Sequence, residues 1–188
     1  MSLRSILAIV SAVSASLLVT STALADDRVR FRGGVSAAGG VLVAPETDVA
    51  LGTAGIQGEV GVQFNDFIGV SWVPQVDLGL GSGVGGLNLS TAVLLDINPI
   101  DFITLGIGPD VGVFAAVGND EAAAGANFGG RFRFQVHPLI IEGRHGRRSA
   151  LTVGADLRVL DGGTLSTSRY DTRGFVFQPM LTLGYTAF

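Results

Sequence analysis

From Arg28 onward, apolar residues recur at every second position in stretch after stretch, and no segment shows helical apolar spacing over three turns. Side chains alternate across a strand with a period of two, so the pattern reads as a succession of strands with one apolar and one polar face. Turn-forming residues divide them. The first strand is expected near 28–43, with Val29, Phe31, Val35, Val41 and Val43 against Arg28, Arg30, Arg32 and Ser36, and Pro45-Glu-Thr-Asp48 turns it. The second runs near 49–64 and ends at a tight Asn65-Asp66 turn, and the third runs near 67–80 with Ile68, Val70, Trp72, Val76, Leu78 and Leu80 on its apolar face. The fourth, near 87–97, is broken by Asn98-Pro99, because proline donates nothing to a ladder. The fifth, sixth and seventh are expected near 102–117, 126–137 and 150–160. A closing strand completes about eight.

That closing stretch, Gly174-Phe-Val-Phe-Gln-Pro-Met-Leu-Thr-Leu-Gly-Tyr-Thr-Ala-Phe188, ends on a bare aromatic residue. A terminal Phe left in water is costly, and a closed barrel in a membrane gives it an apolar place. The tail resembles the last strand of bacterial outer-membrane β-barrel proteins, small eight-stranded transmembrane barrels among them. The resemblance implies an all-β fold, a closed antiparallel up-and-down barrel, and a terminal aromatic read by the barrel-assembly machinery. Phe188 fits that mark, with Tyr185 as the second candidate. In the family, apolar residues stand in phase with the final Phe. Here Thr186, Gly184, Thr182 and Gln178 hold that phase, while Tyr185, Leu183, Leu181 and Phe177 are out of it. Either a bulge near Ala187 shifts the phase, or Phe188 extends past the last paired residue.

The N-terminus has the layout of a secretory signal. A short n-region with Arg4 precedes an apolar or small run from Ile6 to Val19, and Ala23-Leu-Ala25 closes a cleavage pattern. The apolar run is shorter than the roughly 20 residues of a membrane-spanning helix. We therefore expect a signal peptide over 1–25, cleavage after Ala25, and one β-barrel domain over 26–188. No cysteine is present, which excludes disulfides and a lipidated mature N-terminal Cys.

Composition bears on which face is wet. Charged residues are 15% and mean hydropathy is +0.50, against about a quarter charged for an ordinary soluble domain. A soluble lipocalin-type barrel would carry the same alternation with its apolar face inward. Three features favour apolar-out. The polar face is rich in Gly, Ser and Thr, as a narrow lumen requires. The apolar face holds more bulky side chains than eight strands can enclose. Aromatics gather near turns (Phe64, Phe67, Phe102, Phe114, Phe128, Phe175, Phe177), as interfacial girdles do. With both termini periplasmic, 65–66, 98–101 and 138–149 become periplasmic turns. The segments 44–48, 81–86, 118–125 and 161–174 become extracellular loops.

The polar face carries Arg30, Arg32, Arg131, Arg133 and Arg158 together with Glu59, Asp77, Asp96, Asp110 and Asp156. The bland reading, a compensated network filling the lumen, outweighs a charged constriction that selects ions. His145-Gly-Arg-Arg-Ser149 lacks the His-x-Ser spacing of small outer-membrane lipid A deacylases, and no base is positioned beside a nucleophile. Gly79-Leu-Gly-Ser-Gly-Val-Gly85 is followed by no Lys-Ser/Thr and opens no helix, so it is no phosphate loop. No cofactor or metal is expected, and a formal net charge of −4 argues against nucleic acid. The sequence thus reads as a monomeric outer-membrane barrel with a structural, envelope-integrity or surface-interaction role. Its expected partners are outer-membrane lipids, lipopolysaccharide and the assembly machinery. A narrow channel for small or apolar solutes is the alternative, and a lipid-modifying enzyme stands third.

Overall fold

The computed structural model describes residues 29–45, 49–81, 83–118, 121–143, 148–164 and 174–187. Eight strands follow one another along the chain: β1 Arg30–Ala44, β2 Val49–Gln63, β3 Ile68–Gly81, β4 Val84–Ile100, β5 Ile103–Gly118, β6 Glu121–Glu142, β7 Arg148–Thr164 and β8 Gly174–Ala187. Each pairs antiparallel with its chain neighbour, and β1 pairs with β8, which closes the barrel. Closure removes the sheet edges that an open arrangement would leave unsatisfied.

Boundaries depart from the periodicity in three places. β4 is not ended by Asn98-Pro99. It continues to Ile100, and a register shift between Ile97 and Ile100 absorbs the proline. β6 starts five residues earlier than expected and runs on through Pro138 to Glu142, with a second register shift between Val136 and Leu139. The presumed turn over 138–149 is therefore mostly hairpin, and no extra strand pair lies in its described part. The Asn65-Asp66 turn forms as expected. The Asn65 side-chain oxygen accepts the backbone N–H groups of Phe67 and Ile68 at 2.8 and 2.7 Å.

The faces are as the alternation implies. Outward side chains are exposed and bulky, among them Trp72, Leu78, Leu80, Phe128, Phe132 and Leu181. Inward side chains are buried and mostly polar. Two groups correct the expectation. Val73, Ala92 and Leu94 form a small apolar patch inside the barrel. Phe114, expected in an outer girdle, shares the inward phase of Asp110 on β5 and is half buried opposite Gly125. Phe67 and Phe102 sit at turns, so strand phase does not govern them.

Three prolines lie mid-strand in the wall: Pro74 on β3, Pro109 on β5 and Pro179 on β8. Proline has no amide hydrogen for a partner strand. At each of them one ladder lapses and then resumes in the same register. The gaps fall at Gly58–Glu59 opposite Val73–Pro74, at Val93–Leu94 opposite Gly108–Pro109, and at Val41–Leu42 opposite Gln178–Pro179. At the second gap the backbones crowd. A Cβ on Gly108 would stand 1.9 Å from the Val93 carbonyl oxygen, so only glycine fits there.

Candidate functional site

Alternation points the polar residues of all eight strands at one axis, and the lumen is narrow enough for long side chains to meet across it. Four arginines and four carboxylates form one continuous chain of alternating sign: Arg32–Glu59–Arg133–Asp156–Arg131–Asp110–Arg158–Asp77. Its links join β1, β2, β6, β7, β5 and β3. Arg133 Nη1 lies 3.0 Å from Glu59 Oε2 and Arg133 Nε 3.6 Å from Asp156 Oδ1. Asp156 reaches Arg131 at 3.8 Å. Asp110 then takes two guanidinium groups. Arg131 donates to its Oδ2 from Nε and Nη2 at 2.8 and 2.7 Å, and Arg158 donates from Nε to Oδ2 and from Nη2 to Oδ1 at 2.9 and 3.1 Å. Arg158 also donates to Gln178 Oε1 at 2.6 Å and lies 3.3 Å from Asp77. Arg131 and Arg158 are wholly buried.

Charges shut away from water cost several kcal/mol each unless paired and hydrogen-bonded. The alternation of sign meets that cost, since every interior member of the chain faces opposite charge on both sides. Asp96 is the exception. It is buried on β4, yet among the described residues it makes no ion pair. Arg30 also departs from the expected network. It sits near the start of β1, half exposed, and pairs at 3.2 Å with Asp66 in the β2–β3 turn. Its place is the mouth, because β1 has not yet entered the enclosed part of the barrel there.

Below the ionic chain a neutral network crosses the same end of the lumen. Arg32 donates to Gln135 Oε1 at 2.8 Å and to Thr104 at 3.3 Å, and Thr104 donates to Asn98 Oδ1 at 2.7 Å. The His137 ring nitrogens face the hydroxyls of Thr104 and Thr152 at 3.2 and 3.1 Å, and Thr152 meets Thr186 at 2.9 Å. The sequence reading placed His137 on the polar face and gave the threonines no role. Their inward phase was the available signal. An open cleft at this mouth is lined by Arg30, Arg32, Gln63, Asn98, His137 and Arg148, among others. Among the described residues no group of three or more His, Cys, Asp or Glu could hold a metal ion. His145 and Phe188 lie outside the described residues. Tyr185 points outward, half exposed, between Val35 of β1 and Leu151 of β7. Ala187 pairs with Gly33 and Ser149 with no bulge, so the phase does not shift before it.

Solved structures share this architecture. Neisserial surface protein A is 9% identical, with a TM-score of 0.50, covering 84% of this chain and 97% of its own. The chain has the fold of the small eight-stranded outer-membrane barrels. Ail, the attachment invasion locus protein of Yersinia pestis, aligns at 12% identity and a TM-score of 0.48, over 85% of this chain and 98% of that one. The outer membrane protein OprG of Pseudomonas aeruginosa aligns at 10% identity and 0.38, over 85% and 94%. No protein-family model matches the chain, and no curated protein matches its sequence.

Proposed function

We propose that this chain is an integral outer-membrane protein with an occluded lumen, whose role is structural, in envelope integrity, or in contacts made by its surface, and not catalytic. The observation that carries the reading is the continuous ionic chain from Arg32 to Asp77, which ties six of the eight strands across the lumen. An eight-stranded interior is filled by its own side chains. A permeating ion would have to displace guanidinium–carboxylate pairs that have no water to replace them. Outside, the apolar face is what a bilayer core requires of a barrel. Lipids and lipopolysaccharide are then its immediate surroundings, the barrel works as a monomer, and the signal peptide is cleaved after Ala25 in residues outside those described.

Two measurements test this together. Purified protein in planar bilayers shows no stepwise conductance, and cell fractionation recovers it from the outer membrane in a form that runs faster on SDS gels unboiled than boiled. Reproducible single-channel steps would favour the narrow-channel alternative. Recovery as a soluble periplasmic monomer would sink the membrane reading.

The assembly mark is tested separately. Deletion of Phe188 lowers the amount of heat-modifiable barrel and leaves export unchanged. If Tyr185 carries the mark instead, Tyr185→Ala is the worse change and the deletion is silent.

A further inference from the structure

Two of the three proline gaps flank one hairpin. The β2–β3 ladder lapses at Val73–Pro74 and the β4–β5 ladder at Val93–Leu94, so the β3–β4 hairpin is joined weakly to both neighbours, midway along its strands. Between β3 and β4 themselves the ladder is unbroken from Ile68↔Ile97 to Gly81↔Val84. The inner face of the hairpin at that height is apolar, made of Val73, Ala92 and Leu94. The ionic chain grips the hairpin at one point only, the 3.3 Å contact from Arg158 to Asp77, and β4 contributes no member to it. Other polar ties lie toward the strand ends, at Asn98 with Thr104 and at Asn88 with Asn127.

Three separate features thus coincide: missing rungs on both sides, no side-chain tie at mid-height, and an inner surface that loses nothing in hydrocarbon. Local opening follows the least-bonded boundary of a fold. The geometry points to the β3–β4 hairpin as a panel of the wall that parts from β5 at Val93–Pro109 and admits a lipid hydrocarbon tail onto Val73, Ala92 and Leu94. The occupant is set by depth. With the barrel in a membrane, acyl chains surround these rungs, and the patch offers them apolar contact where the rest of the lumen offers charge. Leu94 itself has no route to lipid in the closed barrel, since it is fully buried and faces inward. This inference rests on the membrane reading above.

The test is photolabelling in vesicles of phosphatidylcholine and phosphatidylglycerol whose tails carry a mid-chain diazirine, read residue by residue by mass spectrometry. Labelling of the outward Val93 and Leu95 reports insertion, and labelling of the inward Leu94 and Val73 reports entry. The chain has no cysteine, so a Leu95→Cys/Ile107→Cys pair can lock the seam. These residues are directly opposed on β4 and β5, at a Cα spacing within disulfide reach. We expect Leu94 labelling in the unaltered protein, a several-fold loss in the oxidised double variant, and recovery on reduction. Pro109→Val, which returns an amide hydrogen to the rung, lowers it without any crosslink. Val93 and Leu95 labelled with Leu94 unlabelled would overturn the panel and leave the membrane reading standing. Leu94 labelling that ignores the disulfide would overturn entry at this seam. Absence of label on Val93 and Leu95 would overturn both.

Discussion

Arg158 and Arg30 each hold a carboxylate at about the same distance, Arg158 to Asp110 at 2.9 Å and Arg30 to Asp66 at 3.2 Å, but they do so in different solvents. The Arg158 pair is fully buried, whereas the side chains of Arg30 and Asp66 are 48% and 81% exposed. Water competes for the exposed pair and screens it, so such pairs contribute about 0–1 kcal/mol. In the lumen there is no such competitor. Removing one partner there strands the other, and this penalty, more than the attraction itself, makes the interior arrangement hard to alter. The rim can exchange its charges one at a time, and the interior cannot.

The largest effect is expected where the ionic chain branches. Arg158→Met leaves Asp77 and Asp110 short of a counter-charge and should lower stability by about 3–5 kcal/mol, read from urea unfolding in lipid vesicles by Trp72 fluorescence. A loss below about 1 kcal/mol would show that water reaches the lumen and that the two regions do not differ. Next comes a charge given neither water nor partner. Trp72→Arg, on the lipid-facing side, should cost about 2–4 kcal/mol near the bilayer midplane. Because the substitution removes the only tryptophan, the folded fraction is best followed by gel mobility. Equal yields of folded variant and wild type would mean that the faces are assigned the wrong way round.

Asp96 sharpens the contrast from the other side. It is as buried as Asp110 yet belongs to no ion pair, so Asp96→Asn should change stability by less than about 1 kcal/mol or raise it, since removing an unpaired buried charge removes its desolvation cost. Asp110→Asn, by comparison, should be several-fold more damaging. Smallest of all, Asp66→Asn should stay within about 0.5 kcal/mol, and the difference from wild type should vanish as salt is added.

Strand number, the closed architecture and the direction of the faces were legible in the sequence because a period of two is a local property. Trp72 and Ser71 reveal their opposite faces without knowledge of any other strand. What pairs with what inside was not legible. That Asp110 takes both Arg131 and Arg158 depends on the register of β5, β6 and β7, which alternation leaves open. The early start of β6 was hidden because Ala122-Ala-Ala-Gly-Ala126 carries no contrast between faces. Pro99 and Pro138 read as strand breakers, yet each falls beside a register shift that accommodates it. Leu94 and Val73 sit on the polar phase among few other apolar residues, so their inward aim was visible but their meeting in one patch was not.

Gly108 and Pro109 carry a consequence for descent. Because the Val93 carbonyl oxygen occupies the space a Cβ at 108 would need, a side chain cannot appear at 108 while that gap persists. Replacing Pro109 first would let the rung re-form and the backbones draw into ordinary spacing, after which position 108 is free to vary. The reverse order passes through a chain with a steric clash in its wall. Lineages that keep proline at 109 should therefore keep glycine at 108, and those that have lost the proline should show both residues drifting.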